Sequence, residues 1–245
     1  MTDSYLYKGS SVLRNLLNIH DEKELNLAEA ELSRANMMLL YDQGFNDFST
    51  KGIKTIHKVL FEDVYAWAGE FRTINIQKRE PLLAGISVWY ADSDNIKKDL
   101  DTAWKAINKI PWKKLNREEF AAQITRKFPP LWQVHPFREG NTRAIVMLMT
   151  FFIEHFGYYF DKDLLAASAG YVRNAFVMAC LNQYSEFEHL EKILRDAICT
   201  DLIEYTDDLD QEESMPQGEK YQKYQTRDYK PIAHEYRVDD EEAKQ

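Results

Sequence analysis

The 245-residue chain has only two cysteines, Cys180 and Cys199. Two thiols make neither a disulfide framework nor a structural zinc site by themselves, and a reducing compartment fits best. No apolar run reaches the ~18 residues of a membrane span. The opening MTDSYLYKGSSVLRNLL has no continuous apolar core behind its positive charges. A membrane protein and a secreted precursor are both disfavoured, and the expected location is cytoplasmic, without processing. Basic residues are outnumbered, 31 against 40 acidic, for a net charge of -9. That balance repels a phosphate backbone and argues against nucleic acid as a partner. No internal repeat with a period of about 20–50 residues is present.

What the chain does have is large side chains to bury: five Trp, fourteen Tyr and thirteen Phe, within a composition that is 44% apolar and 29% charged. Wholesale disorder is excluded, and one core with an appendage is the expected organisation. From Asp21 the stretch DEKELNLAEAELSRANMMLLYDQ predicts one long helix, with Leu25, Ala28, Leu32 and Met38-Leu39 at roughly helical spacing. Ser49-Thr50 caps a second helix carrying Ile53, Ile56, His57, Leu60 and Val64, which Gly69 stops. The stretch EFRTINIQKREPLLAGISVWY reads as the one hairpin, with arms around Ile74–Ile76 and Ile86–Tyr90.

Helical patterning resumes at DSDNIKKDLDTAWKAINKI and again at NREEFAAQITRKF, where Asn116 followed by Glu119 forms a capping box and Pro129-Pro130 ends the helix. RAIVMLMTFFIEHF is apolar on nearly every face, which marks a central buried helix. Two more helices are expected, in DKDLLAASAGYVRNAFVMACL and SEFEHLEKILRDAICTDLIEY. The expected division is an N-terminal helical region at 1–45, a helical core at 46–205 and an acidic, tyrosine-containing tail at 206–245, in an all-α fold with one short β-hairpin.

The informative stretch is His135-Pro136-Phe137-Arg138-Glu139-Gly140-Asn141-Thr142-Arg143, between the Pro129-Pro130 break and the central helix. Gly140 and Asn141 tolerate positive φ and can turn successive N–H groups into one concavity at the helix start, where the helix dipole also favours an anion. Arg143 adds a fixed cation, and Glu139 a hard oxygen ligand for a Mg²⁺ riding on a polyphosphate. His135 is the one group in the stretch able to accept a proton near neutral pH. A base, a metal carboxylate, an amide nest and an arginine suit attack by a hydroxyl on an activated phosphorus. Taken singly, each residue has a structural alternative, such as a turn, a cap or a core histidine.

The nine residues resemble the loop of the Fic (filamentation induced by cAMP) proteins, His-x-Phe-x-(Asp/Glu)-Gly-Asn-Gly-Arg-x-x-Arg, departing from it at one position through Arg143. YLYKGSSVLRN, VYAWAGEFRTINIQK and YVRNAF look like the same family, so the resemblance covers roughly residues 5–200. It implies a Fic-domain helical bundle, of bacterial type, with the hairpin as a flap over the active site. It also implies transfer of AMP from Mg·ATP to a Ser, Thr or Tyr hydroxyl of a protein, with self-labelling. By that resemblance His135 is the general base, Phe137 packs the loop, Glu139 holds Mg²⁺, Gly140, Asn141, Thr142 and Arg143 form the phosphate-binding set, and Lys78 on the flap lies near the nucleotide.

Thr142 stands where the family pattern has Gly, and Val146 where it has a second Arg. Both departures bear on the triphosphate: the first puts a side chain beside the nest, the second removes a γ-phosphate anchor. Arg173 of YVRNAF is a candidate for the missing charge, with an ion-paired structural arginine as its other reading. Many Fic proteins carry an inhibitory helix, (Ser/Thr)-x-x-x-Glu-(Gly/Asn). The corresponding stretch here, Glu31-Leu32-Ser33-Arg34-Ala35-Asn36, keeps Asn36 but has Ala35 in the glutamate place, a degenerate form. Thr200-x-x-x-Glu204 has the spacing near the C-terminus, followed by Tyr205. Two alternatives to AMP transfer stay open: transfer of another phosphorus group, as a kinase would make, and a non-catalytic nucleotide-binding or partner-binding module. A zinc site at His135 and Glu139 has too few ligands.

Overall fold

A computed structural model of the chain describes residues 3–200 and Tyr224. The expected tail and the Glu204 of the C-terminal spacing lie outside the described residues, Tyr224 apart. Two compact units are interleaved along the chain. The first comprises the described residues of Met1–Asn75, Ala91–Trp104 and Val134–Phe152, the second those of Ile76–Tyr90, Lys105–Gln133 and Ile153–Gln245. No helix among the described residues is long and apolar enough to cross a membrane.

Four of the described α-helices begin in the first unit. α1 (Glu22–Gln43) starts where Asp21 accepts a hydrogen bond from the Glu24 N–H, with Glu22 and Glu24 in the first turn, where the helix dipole favours acids. Its inward face is mixed, with Leu25 and Leu40 buried beside Glu29 and Ser33. α2 (Thr50–Phe61) is capped by Ser49, as its sequence predicts, but ends at Phe61 instead of running to Gly69. Ile53, Ile56, Leu60 and Phe61 are fully buried, each contributing roughly 1.5–3 kcal/mol as an upper estimate. The helix packs on α1, and its Phe61 lies against Gly140 at the start of α6 (Asn141–His155). Near the end of α6, Phe151 and Phe152 meet Tyr41, Phe45 and Phe48. Another of these helices, α3 (Ile96–Asn108), is tied to α2 by Thr50 donating to Asp101 at 2.6 Å.

In the second unit α4 (Arg117–Lys127) opens with the predicted Asn116–Glu119 capping box, both reciprocal hydrogen bonds present. Pro129-Pro130 ends α4 but also starts α5 (Pro129–Val134), because a proline at the first helical position loses no bond the helix would have made. The stretch from Asp161 divides into α7 (Lys162–Ala167) and α8 (Ala169–Met178) at Ser168. α9 (Glu188–Ala197) packs on α4, α7 and α8. It ends in β2 (Ile198–Cys199), which pairs antiparallel with β1 (Tyr159–Phe160). Tyr224 is buried in this unit, its hydroxyl donating to Asp196 and its ring edge-on to Tyr171.

The two-stranded pairing thus lies at residues 159–160 and 198–199, not in the stretch from Glu70 to Tyr90. There a single 3-10 turn, Pro81–Leu83, forms the tip, closed by the Glu80 N–H donating to the Ile86 carbonyl at 3.1 Å. The alternation Ile74, Ile76, Ile86, Val88 reads as strand, but Pro81 and the left-handed Ala84 (φ 52) leave too little regular chain for a ladder.

Candidate active site

Residues 135–143 form one turn into the N-terminus of α6, entirely within the first unit. The turn is held closed by Asn141, whose side-chain oxygen accepts from the Phe137 N–H at 2.8 Å and whose amide nitrogen donates to the Phe137 carbonyl at 2.9 Å. Its side chain is therefore spent on the loop, and what it offers a ligand is its main-chain N–H. At the N-terminus of a helix such groups have no intrahelical acceptor. Gly140 has φ +79, and a Cβ there would lie 2.4 Å from two carbons of the buried Phe61 ring. The glycine is required twice, by backbone and by space.

Phe137 is fully buried and stacks on His57 at 3.7 Å between ring centroids. His57 is the residue that links the loop to α2. Its Nε2 donates to the Glu139 carbonyl at 3.0 Å, and its Nδ1 accepts from the Gly69 N–H at 2.9 Å. That pattern requires a neutral ring with the proton on Nε2. Burial, reinforced by the nearby Arg143 charge and opposed by the bond to Glu139, lowers its pKa to about 3. Arg138 points away from the turn and holds Asp3 through Nε and Nη2, at 2.9 and 2.8 Å.

With the backbone so fixed, Glu139 and Arg143 are half-buried, and a Glu139 carboxylate oxygen accepts from the Gly140 N–H at 3.1 Å. Arg143 is already engaged. Its Nη2 pairs with Glu29 of α1, its Nη1 donates to Ser33 Oγ at 2.7 Å, and its guanidinium carbon lies 4.8 Å over the Phe61 ring. Glu29 in turn accepts from the Tyr65 hydroxyl, and burial together with that carboxylate pushes the phenol pKa up. His135 has a left-handed backbone, φ +49, and is buried, 2% exposed.

The structure thus brings His135, Glu139, Gly140, Asn141, Thr142 and Arg143 onto one turn. Lys78 and Arg173 belong to the second unit. The Lys78 N–H donates to Ser87 Oγ at 3.1 Å. Arg173 is ion-paired to the buried Glu80, its Nη1 2.7 Å from one carboxylate oxygen and its Nη2 2.8 Å from the other. On α1, Glu31 and Ala35 are exposed and Asn36 donates to Asp63 at 2.9 Å. The α1 residues that meet the turn are Glu29 and Ser33. No spacing in the sequence marks either of these or Arg72 as a partner of the turn, and His57 is legible there only as a residue of its helix. For His57 a signal was available, since it shares the buried stripe of Ile53, Ile56 and Leu60.

Residues 47–153 match the model of the Fic/DOC family. The probable protein adenylyltransferase y4lH of Sinorhizobium fredii is 28% identical over 165 residues, 66% of this chain and 81% of that protein. The protein adenylyltransferase VbhT of Bartonella schoenbuchensis is 28% identical over 162 residues, 66% of this chain and 33% of that protein. Among solved structures, the N-terminal Fic domain of a VirB-translocated Bep effector protein from Bartonella quintana superimposes with a TM-score of 0.68 at 25% identity, covering 86% of this chain and 97% of that one. BepC from Bartonella tribocorum, with bound AMPPNP, gives 0.68 at 25% identity over 79% and 95%.

Proposed function

Since residues 47–153 are a Fic/DOC-family domain, we propose that the chain is a protein adenylyltransferase, moving AMP from ATP to a hydroxyl side chain of a protein. The observation that carries this reading is the single turn at 135–143, which puts an imidazole, a carboxylate and a guanidinium at the mouth of α6. A target hydroxyl gives its proton to His135 as its oxygen bonds to the α-phosphorus, and the bond from that phosphorus to the bridging oxygen of pyrophosphate breaks. The N–H groups at the start of α6 and the Arg143 guanidinium balance phosphate charge.

Glu139 would hold Mg²⁺. A lone, half-buried carboxylate suits that ion, which keeps waters and takes its remaining ligands from phosphate oxygens. When bound, Mg²⁺ would neutralise charge on the polyphosphate. The departures at Thr142 and Val146 leave Arg143 as the guanidinium of the motif, and Glu29 competes for it. Self-labelling follows wherever a hydroxyl of another copy reaches the turn.

The test is intact-protein mass after incubation with Mg·ATP, alone and with a cell lysate. The expected product is a protein carrying one AMP, absent with His135→Ala. A mass gain of phosphate, or label that persists in that variant, overturns the reading.

A further inference from the structure

Arg72 lies in the first unit, four residues past Ala68, and is 1% exposed, one of the largest fully buried side chains. A buried guanidinium is tolerated only where its donors are matched, and here they meet backbone oxygens in two groups. Nε donates to the His135 carbonyl at 2.9 Å, and Nη2 reaches the Val134 carbonyl at 3.4 Å. Nη1 donates to the Ile74 carbonyl at 2.7 Å, and Nη2 also donates to Ala91. The Arg72 main-chain N–H adds a bond to the Pro136 carbonyl at 2.9 Å. One residue therefore holds three successive carbonyls, 134 to 136, together with the two positions that flank residues 75–90 in the chain.

We infer that Arg72 is a positioning residue of the transfer reaction: it fixes the backbone of His135, and through it the imidazole, while tying the stems of the 75–90 excursion to the same point. His135 has a left-handed backbone, which a residue with a Cβ adopts only when its surroundings impose it. The carbonyls on either side of that φ are the ones Arg72 grips. A planar fork with five donors is needed to reach four oxygens in different directions. A lysine, with three donors on one nitrogen, keeps the charge and loses the geometry.

The inference rests on the adenylyltransferase reading for its kinetic arm, and Arg72→Lys separates positioning from simple loss of structure. Affinity for AMPPNP is expected to stay within about 3-fold of wild type while turnover falls on the order of 100-fold, the cost of displacing a reacting group by about 1 Å. Turnover within about 3-fold of wild type overturns the inference, as does a fall in turnover matched by an equal fall in affinity. A second arm needs no activity. In wild-type protein the Arg72 Nε–H is expected to give a resolved, slowly exchanging NMR signal coupled to the ¹³C carbonyl of His135. Arg72→Lys is expected to move the His135 imidazole resonances and leave those of the exposed His20 and His155 in place. An Arg72 signal exchanging as fast as a surface arginine's overturns the inference even if the lysine variant does not fold. Should wild-type protein transfer no AMP to any protein, the functional reading falls and the NMR arm still decides the role of Arg72.

Discussion

The turn at 135–143 and the segment at 76–90 are both irregular chain held in a definite shape, but by opposite means. Hydrogen bonds that end on main-chain groups close the turn: the Asn141 amide on Phe137, the His57 ring on Glu139 and Gly69, and the Arg72 guanidinium on the Val134 and His135 carbonyls. The segment at 76–90 is held by an ion pair, with the fully buried Glu80 gripped by Arg173 at both oxygens and accepting from the Tyr90 hydroxyl at 3.3 Å. A neutral hydrogen bond contributes about 0.5–1.5 kcal/mol and its loss is graded. An ion pair with one member out of water is close to all or nothing, because removing its partner strands a charge.

Arg173→Met puts the buried ion pair to the severest test. It leaves Glu80 buried without its cation and should lower stability by about 3 kcal/mol, near the lower bound for buried pairs because Arg173 is itself 36% exposed. Adding Glu80→Gln should recover most of that loss in urea unfolding, since the stranded charge is then gone. If the double variant is as unstable as the single one, the segment is held by packing and not by charge.

His57 gives the next effect, and a pH dependence with a definite sign. Its pKa is about 3 folded against 6.5 for an unperturbed histidine, so between those values the unfolded chain binds the extra proton. The stability contributed by neutral His57 is present above pH 6.5 and is lost as the pH falls toward 3. Between pH 7 and 5 the loss is about 2 kcal/mol, at about 1.4 kcal/mol per pH unit below 6.5. His57→Gln should remove that slope from the difference between urea midpoints at the two pH values. An unchanged slope would show that the ring is not the buried neutral link between Gly69 and Glu139.

These two effects also show where the sequence was readable. Capping residues act within a turn of themselves, so Ser49 and the Asn116–Glu119 box located two helix starts correctly. The long helix expected from Asp161 instead breaks at Ser168, because apolar residues that are buried on both sides of the break carry no periodic mark of it. The turn itself was legible because its groups are contiguous. Its supports were not: His57 is 82 residues from Glu139, Arg72 63 from His135, and Glu29 114 from Arg143. A partner that distant leaves no spacing to recognise, and a buried arginine or glutamate looks in sequence like any solvated charge.

The smallest effect concerns Arg143, and it decides whether Glu29 obstructs the turn or supports it. Glu29 and Ser33 hold the guanidinium from α1, while Ala35, in the glutamate place of the family's inhibitory pattern, is exposed. Glu29→Gln keeps the shape and removes the charge that a phosphate must displace. Arg143 is about one third exposed, so solvent screens the pair and the gain is modest. AMPPNP should bind about 2–5-fold more tightly, corresponding to roughly 0.4–1 kcal/mol. Ala35→Glu, on a solvent-facing position away from Arg143, should leave that affinity within about 2-fold, a change worth ~0.4 kcal/mol. Calorimetric titration of both variants separates the cases. Weaker binding in Glu29→Gln means that the carboxylate aims the guanidinium instead of competing for it, and weaker binding in Ala35→Glu means that the obstructing position on α1 is the one the family pattern names.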